Sequence, residues 1–337
     1  MNVFSINDWE PLKEIIVGRA DFAYVPPPDP SMKNFMYARL TYREISKYVG
    51  SYSDRVINES NQDLEDLSDK LKELGVIVHR PKPVRHEAEI VTPYWKTTGW
   101  HNYCPRDIFL VLGTSIVEVP SVMRCRIFET WSYDDILHKA FDDGAKWFSA
   151  PKQRYKDESF NFDDLSKPTL MNKEILFDAP NVVRMGTNLL YQISQSGNEK
   201  GATWLQSMFP EYKIHIEREA YSGAHMDSTI VPLREGLVLF NGFRVTPDRY
   251  PKIFDKWDKI FFHDFPMIKT ETSGISSDAI GMNLLSINDR LVIIDENQTK
   301  LMKKLKEYDI ESIPMPMRHS RTLGGGFHCV TLDLKRG

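Results

Sequence analysis

Asp107-Ile-Phe-Leu-Val-Leu-Gly-Thr-Ser-Ile-Val-Glu-Val-Pro120 reads as one β-hairpin. An acidic residue opens an apolar run, Gly113-Thr114 turns the chain, and a second apolar run returns. Branched and aromatic side chains suit pleated strands, and glycine suits the tight turn between them. The pattern recurs at residues 181–193, 228–241 and 281–295, the last with Asn288-Asp289 at its turn. Two further runs lack a hairpin partner: Leu12-Lys-Glu-Ile-Ile-Val-Gly18 and Phe327-His-Cys-Val-Thr-Leu-Asp-Leu334. Paired with each other as strands, they would close the hairpins into a ring and remove exposed sheet edges.

Helical stretches lie between the hairpins. Residues 61–74 carry Leu64, Leu67, Leu71 and Leu74 at helical spacing and stop before Gly75. Residues 133–143 and 298–308 are similar. Hairpin followed by helix, repeated along the chain, predicts a ring of modules. No Pro/Gly/Ser linker interrupts it, so residues 1–337 are expected to form a single domain. Residues 24–29, rich in proline, are read as a surface loop, and the polar stretch 152–176 as irregular.

The 337 residues are 41% hydrophobic, enough for a sizeable core. With 43 basic and 47 acidic residues the formal net charge is −4, which gives no overall attraction to nucleic acid or an anionic membrane. No stretch approaches the roughly 20 apolar residues of a membrane span. The first ten residues carry neither the basic nor the apolar region of a secretory signal. Cys104, Cys125 and Cys329 are odd in number and lack CxxC spacing, which predicts reduced thiols and a cytoplasmic location.

Candidate chemistry gathers at a few places. In Leu323-Gly324-Gly325-Gly326-Phe327-His328-Cys329 the glycines permit close backbone approach or positive φ just ahead of a cysteine. Cys329 is then either a positioned nucleophile or an inert buried thiol. In Ala224-His225-Met226-Asp227-Ser228 the histidine directly precedes an apolar strand, with Asp227 expected on the same strand face. A thiol nucleophile needs such an acid–base partner, although a lone strand-start histidine is commonplace. Asp107, in Cys104-Pro-Arg-Asp107, and Asp178, in Phe177-Asp178-Ala-Pro, open equivalent hairpins and singly read as turn or cap residues. Collected at one end of a ring, these acids would suit a planar guanidinium. The absence of a His-x-x-x-His pair argues against a metal.

Taken together, Cys104-Pro-Arg-Asp107, Phe177-Asp178-Ala179, His225-Met-Asp227 and Gly324-Gly-Gly-Phe-His-Cys329 resemble the arginine amidinotransferase family, from about Trp9 to the C-terminus. The resemblance implies an α/β fold, a five-bladed α/β propeller (pentein) of ββαβ modules with pseudo-fivefold symmetry. It implies transfer of the amidino group of L-arginine, through a covalent adduct on Cys329, to an acceptor amine with release of L-ornithine. His225 would shuttle protons and Asp178 would orient it. Asp107 and Asp227 would bind the guanidinium, and Arg244 the substrate carboxylate, while Ser276 and Ser277 would contact the substrate amino acid. No cofactor or metal is implied, and a homodimer is. Tyr221-Ser-Gly-Ala224 places small residues where glycine-specific members carry larger ones. An aminocyclitol, amino-sugar or longer amino acid is therefore the expected acceptor. The alternatives are an arginine deiminase-like hydrolase giving citrulline, and a non-enzymatic binding propeller.

Overall fold

In the computed structural model, which describes residues 1–36, 40–268 and 276–337, all four predicted hairpins form. Each hairpin is completed by a later strand running parallel to its second strand. Phe109–Leu112 and Ser115–Glu118 are joined, after helix Asp134–Asp142, by Lys146–Ser149. Val182–Met185 and Asn188–Gln192 take Lys213–Glu217 after helix Glu199–Met208. Leu285–Asn288 and Leu291–Asp295 take Glu311–Met315 after helix Thr299–Lys306. Ile230–Arg234 and Leu237–Asn241 take Asp258–Phe262, but their crossover holds only the 3-10 turn Lys252–Phe254.

The orphan strands close the ring. Thr331–Arg336 pairs antiparallel with Leu12–Val17, and Ile77–His79 adds parallel after helix Asp54–Glu73. This module keeps the ββαβ order although its first strand comes from the C-terminal end of the chain. The fold is thus the five-bladed α/β propeller.

The long helix begins well before residue 61, because Ser53 caps it by accepting the Val56 N–H at 3.3 Å. Leu64, Leu67 and Leu71 are wholly buried against Ile15 and Val17. Each such burial stabilises by about 1.5–3 kcal/mol. Leu74 caps the helix and stays 37% exposed, so it does not extend the stripe. The prolines of 24–29 start from a short strand, Tyr24–Val25, paired with Gly50–Ser51, so part of that loop is built into the fold. Residues 152–176 are irregular apart from the 3-10 turn Asp157–Ser159.

At the centre of the ring lies a buried ion network. Asp333 ion-pairs with Arg106 at 2.6 Å, Arg184 at 3.0 Å and Arg336 at 3.1 Å, and accepts from the Ser5 hydroxyl at 2.5 Å. Arg184 also grips Asp8. These residues come from several modules, so the network ties the blades together where strand pairing cannot.

Candidate active site

Cys329 stands in a turn ahead of the strand expected to carry it, and His225 precedes its strand as expected but by several residues. The C-terminal strand begins at Thr331, and the strand after His225 begins at Ile230. The apolar side chains that extended the strand pattern, Met226, Phe327 and Val330, are buried as turn residues packed into the core. His225 adopts φ +52°, a left-handed conformation that a non-glycine residue holds only under tertiary constraint. That bend, rather than strand alternation, brings His225 and Asp227 to one cavity of about 250 Å³. Cys329, Arg244, Ser276 and Ser277 line the same cavity, as do Phe35, Gln195, Tyr221, Gly223, Ala224 and Ser228.

The glycines earn their place sterically. Gly324 sits at φ +83° and ends helix Ser320–Leu323. A Cβ on Gly325 would lie 2.5 Å from the Cys104 Sγ and 3.1 Å from the Cys329 Cβ. The Cys329 thiol donates to Asp227 Oδ2 at 3.3 Å, and the same oxygen accepts from His328 Nδ1 at 2.8 Å. The Cys104 thiol beside it, burial, and the Asp227 and Asp107 carboxylates push the Cys329 thiol well above its ordinary pKa. Cys104, Cys125 and Cys329 are all free and buried.

His225 Nε2 contacts Asp178 Oδ2 at 2.9 Å, and its Nδ1 lies 3.6 Å from Asp107 Oδ1. The Val122 N–H donates to Asp178 Oδ1 at 3.0 Å, fixing that carboxylate. The Ser196 hydroxyl accepts the His225 N–H at 2.9 Å, and Phe35 packs its ring at 67° to the imidazole. Burial acts to lower the His225 pKa, but Asp107, the Asp178 hydrogen bond and charge, and Asp227 together raise it. Asp107, carried on the short helix Pro105–Ile108, is raised by burial despite the His225 and Arg126 charges. Asp227 is brought down to about 2: burial opposes ionisation, but the His328 hydrogen bond and charge, His225 and the Asn283 amide outweigh it.

Arg244 donates to Thr229 Oγ1 at 2.7 Å and to Ser277 Oγ at 2.9 Å, and its guanidinium stacks 4.6 Å above the Tyr221 ring. Ser276 is fixed through its N–H to the Arg321 carbonyl at 3.3 Å. All eight candidate residues thus converge, Asp107 and Asp178 from behind His225. Sequence reading left Arg126, Cys104, His328 and Asn283 without roles. Asn283 sits in an otherwise ordinary segment, and Arg126 opens Arg126-Ile-Phe-Glu129, which resembles an amidinotransferase segment without suggesting a role; only the folded chain shows what they touch. Among the described residues no group of three or more His, Cys, Asp or Glu is arranged to hold a metal ion. No helix among them is long and apolar enough to cross a membrane.

No protein-family model matches the chain. Among curated proteins, inosamine-phosphate amidinotransferase 1 of Streptomyces glaucescens is 44% identical over all of this chain and 97% of its own length. The mitochondrial glycine amidinotransferase of Gallus gallus is 34% identical over 99% of this chain and 83% of its own. The L-arginine:L-lysine amidinotransferase of Pseudomonas savastanoi pv. phaseolicola is 33% identical over 99% and 94%. Among solved structures, the inosamine-phosphate amidinotransferase of Streptomyces griseus is 43% identical and superposes with a TM-score of 0.96 over 99% of this chain and 97% of its own. An amidinotransferase of the saxitoxin biosynthetic pathway from Microseira wollei reaches 0.92 at 33% identity, over 100% and 98%. The N-terminal domain of a cyanobacterial arginine dihydrolase, 16% identical with a TM-score of 0.63 over 96% and 98%, shares the fold alone. The identity and its extent along the whole chain place this protein in the amidinotransferase family.

Proposed function

We propose that this chain moves the amidino group of L-arginine to an acceptor amine by way of an amidino-Cys329 adduct. One observation carries the reading. Two buried carboxylate oxygens, Asp107 Oδ1 and Asp227 Oδ1, have no hydrogen-bond partner among the described residues, and both belong to acids that flank Cys329 and His225. A buried unpaired carboxylate oxygen is costly, and a planar guanidinium supplies the missing donors.

Bound between those acids, the substrate cation would offset the negative charge that keeps the thiol protonated, favouring the thiolate only when arginine is present. The sulfur attacks the guanidino carbon, and the C–N bond to the ornithine δ-nitrogen breaks as protonated His225 gives that nitrogen a proton. Asp178 keeps the imidazole oriented and charged. Ornithine leaves, an amine enters, and its nitrogen attacks the adduct carbon while His225 takes the proton; the C–S bond then breaks in ping-pong order, and the departing thiolate regains from solvent the proton it gave up when arginine bound. Arg244, Ser276 and Ser277 fit the amino-acid end of arginine. This chemistry calls on no metal or cofactor.

The acceptor we infer is larger than glycine: an aminocyclitol, amino-sugar or longer amino acid. Gly223 and Ala224 line the cavity with little side-chain bulk, and relatives are named for inosamine-phosphate and lysine transfer. We further take residues 1–337 as one domain acting as a cytoplasmic homodimer, on the continuity of the ring, the free thiols and the family resemblance.

The test follows arginine with purified protein and a panel of amines. Ornithine formed in step with a guanidinylated amine supports transfer and names the acceptor. Citrulline with every amine would replace it with hydrolysis, and an unaltered Cys329→Ala variant would end the covalent reading.

A further inference from the structure

Asn283 is 1% exposed and ends the 3-10 turn Asp278–Met282. Its side-chain Oδ1 accepts the Cys329 N–H at 2.8 Å, and its carbonyl accepts the His328 N–H at 3.2 Å. Gly326 makes this approach possible, since a Cβ there would lie 2.8 Å from the Asn283 Cβ and 2.9 Å from its carbonyl oxygen. The other half of the amide is unspent. Asn283 Nδ2 is buried without a hydrogen-bond partner among the described residues, as is Asp227 Oδ1. The amide acts on Asp227 closely enough to favour its ionised form. Ser276 and Ser277 immediately precede the same turn, so one short segment runs from the Arg244 side of the cavity to the sulfur.

We propose that Asn283 is a positioning residue for amidino transfer: Oδ1 fixes the backbone of Cys329 and the Asn283 carbonyl that of His328, whose imidazole holds Asp227 at 2.8 Å, keeping thiol and carboxylate in register. The proposal rests on Cys329 being the nucleophile. Its geometry is that of a strut between two reacting parts, one from the Ile230–Arg234 module and one from the closing module. Because Asn283 does not line the cavity and acts on it through Cys329 and His328, its loss should affect the chemical step more than arginine binding.

The experiment compares Asn283→Asp and Asn283→Ala in the full chain. The aspartate keeps the acceptor for the Cys329 N–H but sets a second carboxylate against Asp227. Two acids sharing a site repel each other, so the Asp227 carboxylate should lose its register with the sulfur. kcat should fall about 100-fold while the arginine KM stays within about threefold, the signature of lost positioning. An unchanged kcat in Asn283→Asp overturns the proposal. Should that variant not fold, Asn283→Ala decides on the kcat-against-KM split alone: a fall in kcat supports the strut, and a rise in KM alone or no change overturns it. Cys329→Ala separates the two readings. If it still transfers, the nucleophile assignment fails. If it is dead while Asn283→Asp is unaltered, only the role of Asn283 fails.

Discussion

Arg126 donates to Asp107 Oδ2 at 2.6 Å and leaves Asp107 Oδ1 without a hydrogen bond among the described residues, so a wholly buried arginine holds one edge of a carboxylate and presents the other. The same guanidinium donates to Glu129 at 2.8 Å and to the Cys104 carbonyl at 3.1 Å. Burial raises Glu129 to about 7 even against the Arg126 charge. Arg126→Gln would strand two buried acids. It should cost about 3–5 kcal/mol, the usual result of removing one partner of a buried pair. It should also raise the arginine KM by tenfold or more. Urea unfolding and steady-state kinetics check this, and a variant with wild-type KM would show that Asp107 does not need its anchor.

Asp178→Asn tests the proton shuttle. Asp178 contributes both a hydrogen bond and a charge to the raised pKa of His225. Removing the charge should move the alkaline limb of the rate profile to lower pH by about one unit, equivalent to about 1.4 kcal/mol. The linkage sign agrees. A histidine raised in the folded state adds stability below its unfolded pKa and loses it as pH rises through the folded value. The variant's stability deficit should therefore be larger at pH 5.5 than at pH 9, and an alkaline limb that stays in place would remove His225 from the role of proton donor.

Much of this was legible in the sequence, for local reasons. A hairpin declares itself through two apolar runs around a turn residue, so the modules and the closure of the ring were readable. The start of helix Asp54–Glu73 was not, because its buried face opens with Val56 and then carries the polar Ser60 and Asp63 before the leucine stripe begins at Leu64. The turn bearing Cys329 reads as a strand because core packing and strand pairing place similar apolar residues there. The contacts of Arg126, Cys104 and Asn283 arise from convergence of distant segments, which no local spacing encodes.

Gly325→Ala probes the crowding behind the nucleophile. The added methyl would lie 2.5 Å from the Cys104 Sγ, too close without a shift in one of them. Activity should fall at least about tenfold, since misplacing a reacting atom by a fraction of an ångström is expensive. Cys104→Ala removes the opposing sulfur, so the double variant should recover a substantial part of the loss. A double variant no better than Gly325→Ala would place the damage in the backbone instead.

Ala224→Met narrows the cavity at the segment just before His225. The ratio of kcat/KM for glycine to that for a bulkier amine should rise about tenfold or more, the scale on which pocket volume discriminates. Competition assays with paired amines measure it directly. An unchanged ratio would mean that Ala224 faces only arginine.

Asp333→Asn tests the axial network. Arg106, Arg184 and Arg336 all meet this carboxylate in the buried centre of the ring. Burial opposes its charge, but those arginines hold it well below the usual carboxylate range, and Arg184 with His328 and Arg106 does the same for Asp8. A depressed pKa contributes stability that is complete above the unfolded value near 4 and is lost as pH falls through the folded one. The wild type should therefore weaken below about pH 4, each such carboxylate adding up to about 1.4 kcal/mol per pH unit. Asp333→Asn should lose about 3–5 kcal/mol at pH 7 by leaving arginine charge uncompensated. Its deficit should shrink as the pH is lowered from 4 towards 2, because the wild type gives up the same interaction by protonation. Urea unfolding at pH 7, 4 and 3 reads both quantities. Parallel curves across that range would mean that the centre of the ring is held by packing, with the Asp333 charge contributing nothing to it.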